Sequence, residues 1–257
     1  MTRDPGHWDR FWSAKDDLAD VYASSPRVLE AALAWLPGGA PRVLEIGAGT
    51  GRDAAALASR GARVVALDVA PESLALMARA HPALRGRGIV GGDALHLPFG
   101  DGAFDLVFHQ GVLEHFGNPG AFLAENLRVT RPGGILVVDV PQTYHAWTLL
   151  KRAAIRVDRW FAGWETDYTI RQLEDLVAAA GYEVVDSYAD TMVPSLGYRL
   201  AREAGRRAGV RLPLRPPTPE AMRRVRERAR SRLLATRAAR YLAHTIGVVA
   251  RRPEPTP

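Results

Sequence analysis

The chain has 257 residues, 47% of them hydrophobic and 24% charged, which suits one large α/β domain able to bury a substantial core. It contains no cysteine, which excludes disulfides and thiolate metal sites. The net charge of +6 is uneven: residues 1–194 balance to −6, while residues 195–257 balance to +12, marking that last quarter for an anionic partner or a well-solvated helix.

The N-terminal stretch Met1–Trp8 is polar and lacks the apolar centre of a signal peptide. No uninterrupted apolar run approaches the roughly 18–20 residues that span a bilayer. These features read as a cytoplasmic protein, at most peripheral to a membrane. Two helices are expected first, His7–Asp20 and Ser25–Leu36, within a helical cap over residues 1–40 that carries Trp8, Phe11, Trp12 and Tyr22. From residue 41 to 190, apolar runs alternate with helix-period stretches, the pattern of a parallel sheet with crossover helices. The expected strands are Arg42–Ile46, Arg63–Asp68, Gly88–Gly91, Phe104–His109, Gly134–Val140 and Glu183–Ala189, with a seventh at Thr245–Arg251.

Helix starts between them are marked by Pro71 and by Asn118-Pro119, and Thr169 with Gln172 predicts a capping box whose helix stops at Gly181. Residues 141–168 are rich in aromatics, including Tyr144, Trp147, Trp164 and Tyr168. Residues 191–244 form a basic insertion. After Leu212–Pro219 it carries a helix from Glu220 to about Ala243, with Met222, Val225, Ala229 and Leu233 on one stripe among arginines.

The chemistry begins at Glu45, where a strand ends and runs into Gly47-Ala48-Gly49-Thr50-Gly51. Glycines let the turn adopt conformations other residues resist and let a ligand approach the main chain. The following helix aims its free N–H groups at a ligand's polar end. A dinucleotide fingerprint would place a glycine at position 52, where Arg52 stands, and this argues against NAD or FAD. Asp68 closes the second strand, where a carboxylate can accept both hydroxyls of a ribose, and Asp93 follows the third, within reach of an adenine amino group. Either aspartate alone would read as a loop cap.

With these blocks, residues 40–190 resemble the class I S-adenosylmethionine-dependent methyltransferases, particularly their small-molecule branch. The resemblance rests on Leu44–Gly51, Ala66-Leu67-Asp68, Gly92–Phe99, Phe104–Val107, Val112-Leu113-Glu114-His115 and Arg131–Gly134, in order and at the right separations. It implies a Rossmann-like, doubly wound sheet of seven strands, order 3-2-1-4-5-7-6 with strand 7 antiparallel, and S-adenosyl-L-methionine as cofactor. It further implies that Glu45 faces the methionine amino group and that Gly47, Ala48, Gly49, Thr50 and Gly51 line the donor. Asp68 would hold the ribose, Val69 would lie beside the adenine, Asp93 and Ala94 would meet the adenine edge, and the Gln110 backbone would meet the methionine moiety.

Methyl transfer from a sulfonium needs alignment above all, and a base where the acceptor is a hydroxyl. His115 is the expected base. Glu114-His115 matches a pair linked to a divalent metal in related quinone-biosynthesis O-methyltransferases, but two such residues make a thin metal site, and none is expected here. Both residues also suit a simple packing role, and His109 reads as a packed core histidine. Tyr144 and His145 follow the fifth strand and are expected, with Tyr22 and Trp164, to meet a small-molecule or lipid-like acceptor under an aromatic lid. The expected reaction is O-methylation, with N- or C-methylation, or a partner protein without transfer activity, as alternatives. For the basic helix, three readings stand: packing on the sheet or on a second subunit, peripheral attachment to an anionic membrane, and, least favoured, nucleic-acid binding.

Overall fold

The structure, a computed structural model, describes residues 6–13, 27–86, 88–157, 165–192, 194–213, 218–234 and 236–255. In chain order its elements are α1 (Gly6–Ser13), α2 (Arg27–Ala34), β1 (Arg42–Ile46), α3 (Arg52–Ala58), β2 (Arg63–Asp68), α4 (Pro71–Ala80), β3 (Ile89–Gly91), β4 (Phe104–Gln110) and α5 (Pro119–Val129). There follow β5 (Thr130–Pro141), α6 (Ala146–Arg156), α7 (Ile170–Ala179), β6 (Glu183–Asp190), α8 (Leu196–Arg207), α9 (Glu220–Leu234), α10 (Arg237–Arg240) and β7 (Thr245–Arg251).

The seven strands form one sheet of order β3-β2-β1-β4-β5-β7-β6, with β7 antiparallel to both neighbours and the other pairings parallel. The expected topology holds. Its physical basis is legible in β1, where four of five residues are buried: a central strand covered on both faces must be apolar on both. Leu44, Ile46 and Val107 face a core completed by Phe122 and Leu123 of α5 and Ile170 and Leu173 of α7. Val43, Leu106 and Phe108 face the opposite core, with Val28 and Ala32 of α2 and Ala54 and Leu57 of α3. The strand order reverses between β1 and β4, so the crevice at their carboxyl ends is where such sheets bind ligands.

The expected punctuation is in place. Asn118 Oδ1 accepts from Ala121 N at 3.2 Å, Thr169 and Gln172 form the capping box, and Gly181 takes φ +97° after α7. Several features differ from expectation. Thr130–Gly133 joins β5 through a bulge opposite the start of β4, and α6 and α8 are additional helices, α8 starting after Pro194 with Ser195 at its N-cap and followed by Gly209 at φ +78°. The His145 ring opens α6 by accepting from Trp147 N at 3.2 Å.

The helix expected to run to Ala243 stops at Leu234, and Thr236 caps α10 by accepting from Ala239 N. Nor does the stripe of α9 pack on the sheet. Leu234 is buried and Arg230 pairs with buried Asp190 at 2.6 Å, while Met222, Val225 and Leu233 are exposed. One turn of the helix is therefore its foot, and the apolar stripe points elsewhere.

Candidate functional site

The turn after β1 is built on positive φ. Gly47, Gly49 and Gly51 sit at +64°, +53° and +66°, the left-handed region that side chains resist. Space is tight as well: a Cβ on Gly47 would meet Val112 at 2.5 Å and one on Gly51 would meet the Met77 side chain at 2.7 Å, so a neighbour would have to shift. The turn is tied down by Ala48 N donating to Leu67 O at 3.0 Å and Ser73 Oγ donating to Gly49 O at 2.8 Å.

The two acids beside this turn have local work of their own. Glu45 accepts from Ala54 N at 2.8 Å, at the start of α3. Burial, reinforced by nearby Asp53, raises its carboxyl well above the usual range. Asp68 accepts from Gly49 N at 2.8 Å on one oxygen and from Ala70 N at 3.0 Å on the other. Burial raises it too, against the pull of these N–H donors. Asp68 is thus the clasp of the glycine turn.

Beyond it, Val69 is 59% exposed, an apolar surface at the strand end suited to the face of a flat base. Asp93 is exposed, accepts from Leu95 N at 2.9 Å, and is held low chiefly by that bond, so it stands as an ionised acceptor. Gln110 ends β4 and donates from its side-chain amide to Asp139 at 3.1 Å. A bare glycine turn, acceptors at the ends of β2 and β3, and an exposed apolar residue between them fit a nucleoside carrying an amino-acid tail.

A roof lies over the crevice. Trp12 of α1 rests on the turn, where a Cβ on Gly49 would meet its ring at 2.9 Å. Trp12 contacts Phe11 edge-on at 5.1 Å, Phe11 contacts Trp8 at 5.9 Å, and Trp8 contacts the His115 ring at 5.0 Å. His115 is buried in a 3₁₀ turn, Leu113–His115, just past β4. A continuous aromatic ladder therefore runs from the glycine turn to His115.

Behind His115 lies a cluster that the sequence did not disclose. Lys151 of α6, 2% exposed, contacts Glu165 and Asp167 at 2.6 Å each, and Asp167 also pairs with Arg152 at 2.8 Å. Burial alone would lower the ammonium of Lys151; the two carboxylates reverse this and raise it. Glu114 is fully enclosed, and burial, followed by the negative charge of Glu165, raises its carboxyl well above the usual range. Thr166 N donates to Glu114 O at 2.8 Å, joining the two segments. Residues 14 and 16 apart in a stretch with no periodic signal gave no warning of this convergence.

The other expected residues fall as follows. His109 is a core residue, stacked edge-on against Phe122 at 4.8 Å and lowered by burial to about 3. Tyr144 is exposed, with its ring 6.5 Å from that of Tyr241. His145 is lowered by burial; its Nδ1 accepts in the α6 cap, so the neutral ring carries its proton on Nε2 and offers a donor rather than a base. Its ring lies 5.1 Å from that of His244. Ala94 and Thr50 lie in the loops after β3 and β1, Thr50 O accepting from or facing His81 Nε2 at 3.1 Å. Tyr22 and Trp164 lie outside the described residues. Among the described residues no three metal-binding side chains converge.

Comparison with known proteins bears on this geometry. Residues 44–138 match a family described as a methyltransferase domain. A demethylmenaquinone methyltransferase of Beutenbergia cavernae is 46% identical over 97 residues, 38% of this chain and 39% of that protein. An uncharacterized methyltransferase of Mycobacterium sp. (strain JLS) is 36% identical over 140 residues, 54% of this chain and 51% of that one. The chain thus spans about half or less of the length of these relatives. Among solved structures, Burkholderia thailandensis 1,6-didemethyltoxoflavin-N1-methyltransferase, with S-adenosylhomocysteine bound, superposes with a TM-score of 0.55 at 20% identity, over 97% of this chain and 84% of that one. The cyclase SpnF gives 0.60 at 22% identity over 89% and 81%. At these identities the likeness is one of fold.

Proposed function

We propose that this chain, which carries a class I S-adenosylmethionine-dependent methyltransferase domain, transfers the donor's methyl group to the hydroxyl of a small-molecule or lipid-like acceptor. The observation that carries the reading is the aromatic ladder, which puts the glycine turn and a buried imidazole under one roof. When bound, S-adenosylmethionine supplies a methyl group on an already activated leaving group. The chain's task is then to hold the acceptor oxygen in line, take up its proton and keep water out.

The residues divide this work. Gly47–Gly51, Asp68, Val69, Asp93 and Gln110 hold the donor. His115 takes the proton at a ring nitrogen. Trp8, Trp12 and Phe11 exclude water, and a desolvated hydroxylate is a stronger nucleophile than a hydrated one. Tyr144 and His145 emerge at the same sheet edge, beyond β5, and His145 offers a donor to orient the acceptor.

The test is incubation of the protein with methyl-labelled donor and a fractionated metabolite and lipid extract, with mass spectrometry of the products. Label on oxygen, lost by at least about a hundredfold in His115→Ala while donor affinity is kept, supports the assignment. Label on nitrogen or carbon overturns the hydroxyl acceptor. Donor binding with no release of S-adenosylhomocysteine on any fraction favours a partner protein without transfer activity.

A further inference from the structure

Helix α9 carries a surface that the donor site does not use. At about 100° per residue, Met222, Val225, Ala229 and Leu233 fall within an arc of about 80°. All four are exposed, Val225 at 64% and Leu233 at 61%. Arg226 borders the stripe on one side, and Arg232 and Arg228 on the other, all exposed. The two acids of the helix, Glu220 and Glu227, lie on the opposite face from the stripe.

The helix is anchored elsewhere. Leu234 is buried, Arg230 pairs with Asp190, and on α10 Arg237 pairs with Glu174 at 2.9 Å while Arg240 donates to Ser187 at 2.6 Å. An apolar stripe edged by guanidinium groups, cleared of carboxylates and held by its far flank is the pattern of a helix lying in a lipid–water interface, its long cations reaching outward to headgroups.

We infer that α9 docks on an anionic lipid surface, its stripe among the acyl chains and its bordering arginines on headgroup phosphates. Charge complementarity selects this occupant. Residues 195–257 balance to +12 against −6 for the rest, so an anionic sheet attracts this segment and repels the body, which sets the orientation. Leu149 and Leu150 of α6, and Leu242, are exposed apolar side chains as well. No helix among the described residues is long and apolar enough to cross a membrane, so the contact is interfacial.

Cosedimentation of the full chain with vesicles tests this, run without methyl donor so that the result is independent of the transfer reaction. Phosphatidylcholine vesicles with about one third phosphatidylglycerol should retain the protein and pure phosphatidylcholine should not, and high salt should weaken retention. Val225→Asp with Leu233→Asp, and separately Arg226→Glu with Arg232→Glu, should each cut retention by at least about tenfold with the melting temperature unchanged. These positions are exposed, so the substitutions leave the fold alone. Absence of retention, or retention indifferent to the stripe substitutions, would overturn the inference. So would a dimer that the Val225→Asp, Leu233→Asp variant dissociates, which would give the face to a second copy. Capture by poly(U) stronger than by anionic vesicles, and unaffected in that variant, would give it to nucleic acid.

Discussion

Asp139 shows how far a buried residue departs from its ordinary chemistry. It lies wholly inside β5, and burial holds its carboxyl up to about 7, with the amide of Gln110 opposing. The unfolded chain ionises near the ordinary value of about 3.9. Between these values the folded state binds a proton that the unfolded state does not, so stability is kept at low pH and lost as pH rises from about 4 through about 7. Asp139→Asn keeps an acceptor for Gln110 and removes the titration. Its stability relative to the parent should therefore be larger at pH 8 than at pH 5 by on the order of 2 kcal/mol, measured by denaturant unfolding. A difference that is flat with pH would show that Asp139 ionises in the fold as it does in water. Asp68 makes a related point. An acid at the end of the second strand is visible in sequence, but its double grip on Gly49 N and Ala70 N depends on which main chain folds back to it.

At the scale of elements, the β6–β7 pair rests on a glycine. Gly247 sits opposite Tyr188, and a Cβ there would strike the Tyr188 ring. Strand propensity alone says that Ala should gain about 0.5–1 kcal/mol over Gly inside a strand. Overpacking against the half-buried Tyr188 ring should instead cost about 1–3 kcal/mol. Gly247→Ala is therefore expected to lower the midpoint of urea unfolding, and a raised midpoint would mean that the ring moves aside at little cost. Strand positions were legible because apolar runs with turn residues between them have few other solutions. Helix α6 was not, since His145 as a cap and the buried pairing of Lys151 exist only once the chain has folded.

For the whole molecule, the basic insertion is joined to the acidic body in part by an ion pair on a buried carboxylate. Asp190 is 1% exposed beneath Arg230, so Arg230→Ala strips a buried carboxylate of that cation, a local cost on the order of 3 kcal/mol. Proteolysis within residues 191–244 should then quicken by roughly a hundredfold, while the sheet melts as before. Unchanged cleavage would place the anchorage in Leu234 and α10 instead.

The strand pattern, the glycine turn with its flanking acids and the basic quarter follow from local order along the chain. Periodicity, turn chemistry and charge are properties of neighbours in sequence, and they sufficed for the strand positions and the glycine turn, while the strand order rested on the family resemblance. What tertiary structure alone decided is which distant groups share a dielectric. It laid Trp12 on Gly49 and Trp8 on His115, closed Lys151 in with Glu165 and Asp167, and turned the stripe of α9 away from the sheet. Burial and opposed charge act through space, and no spacing along the chain encodes them.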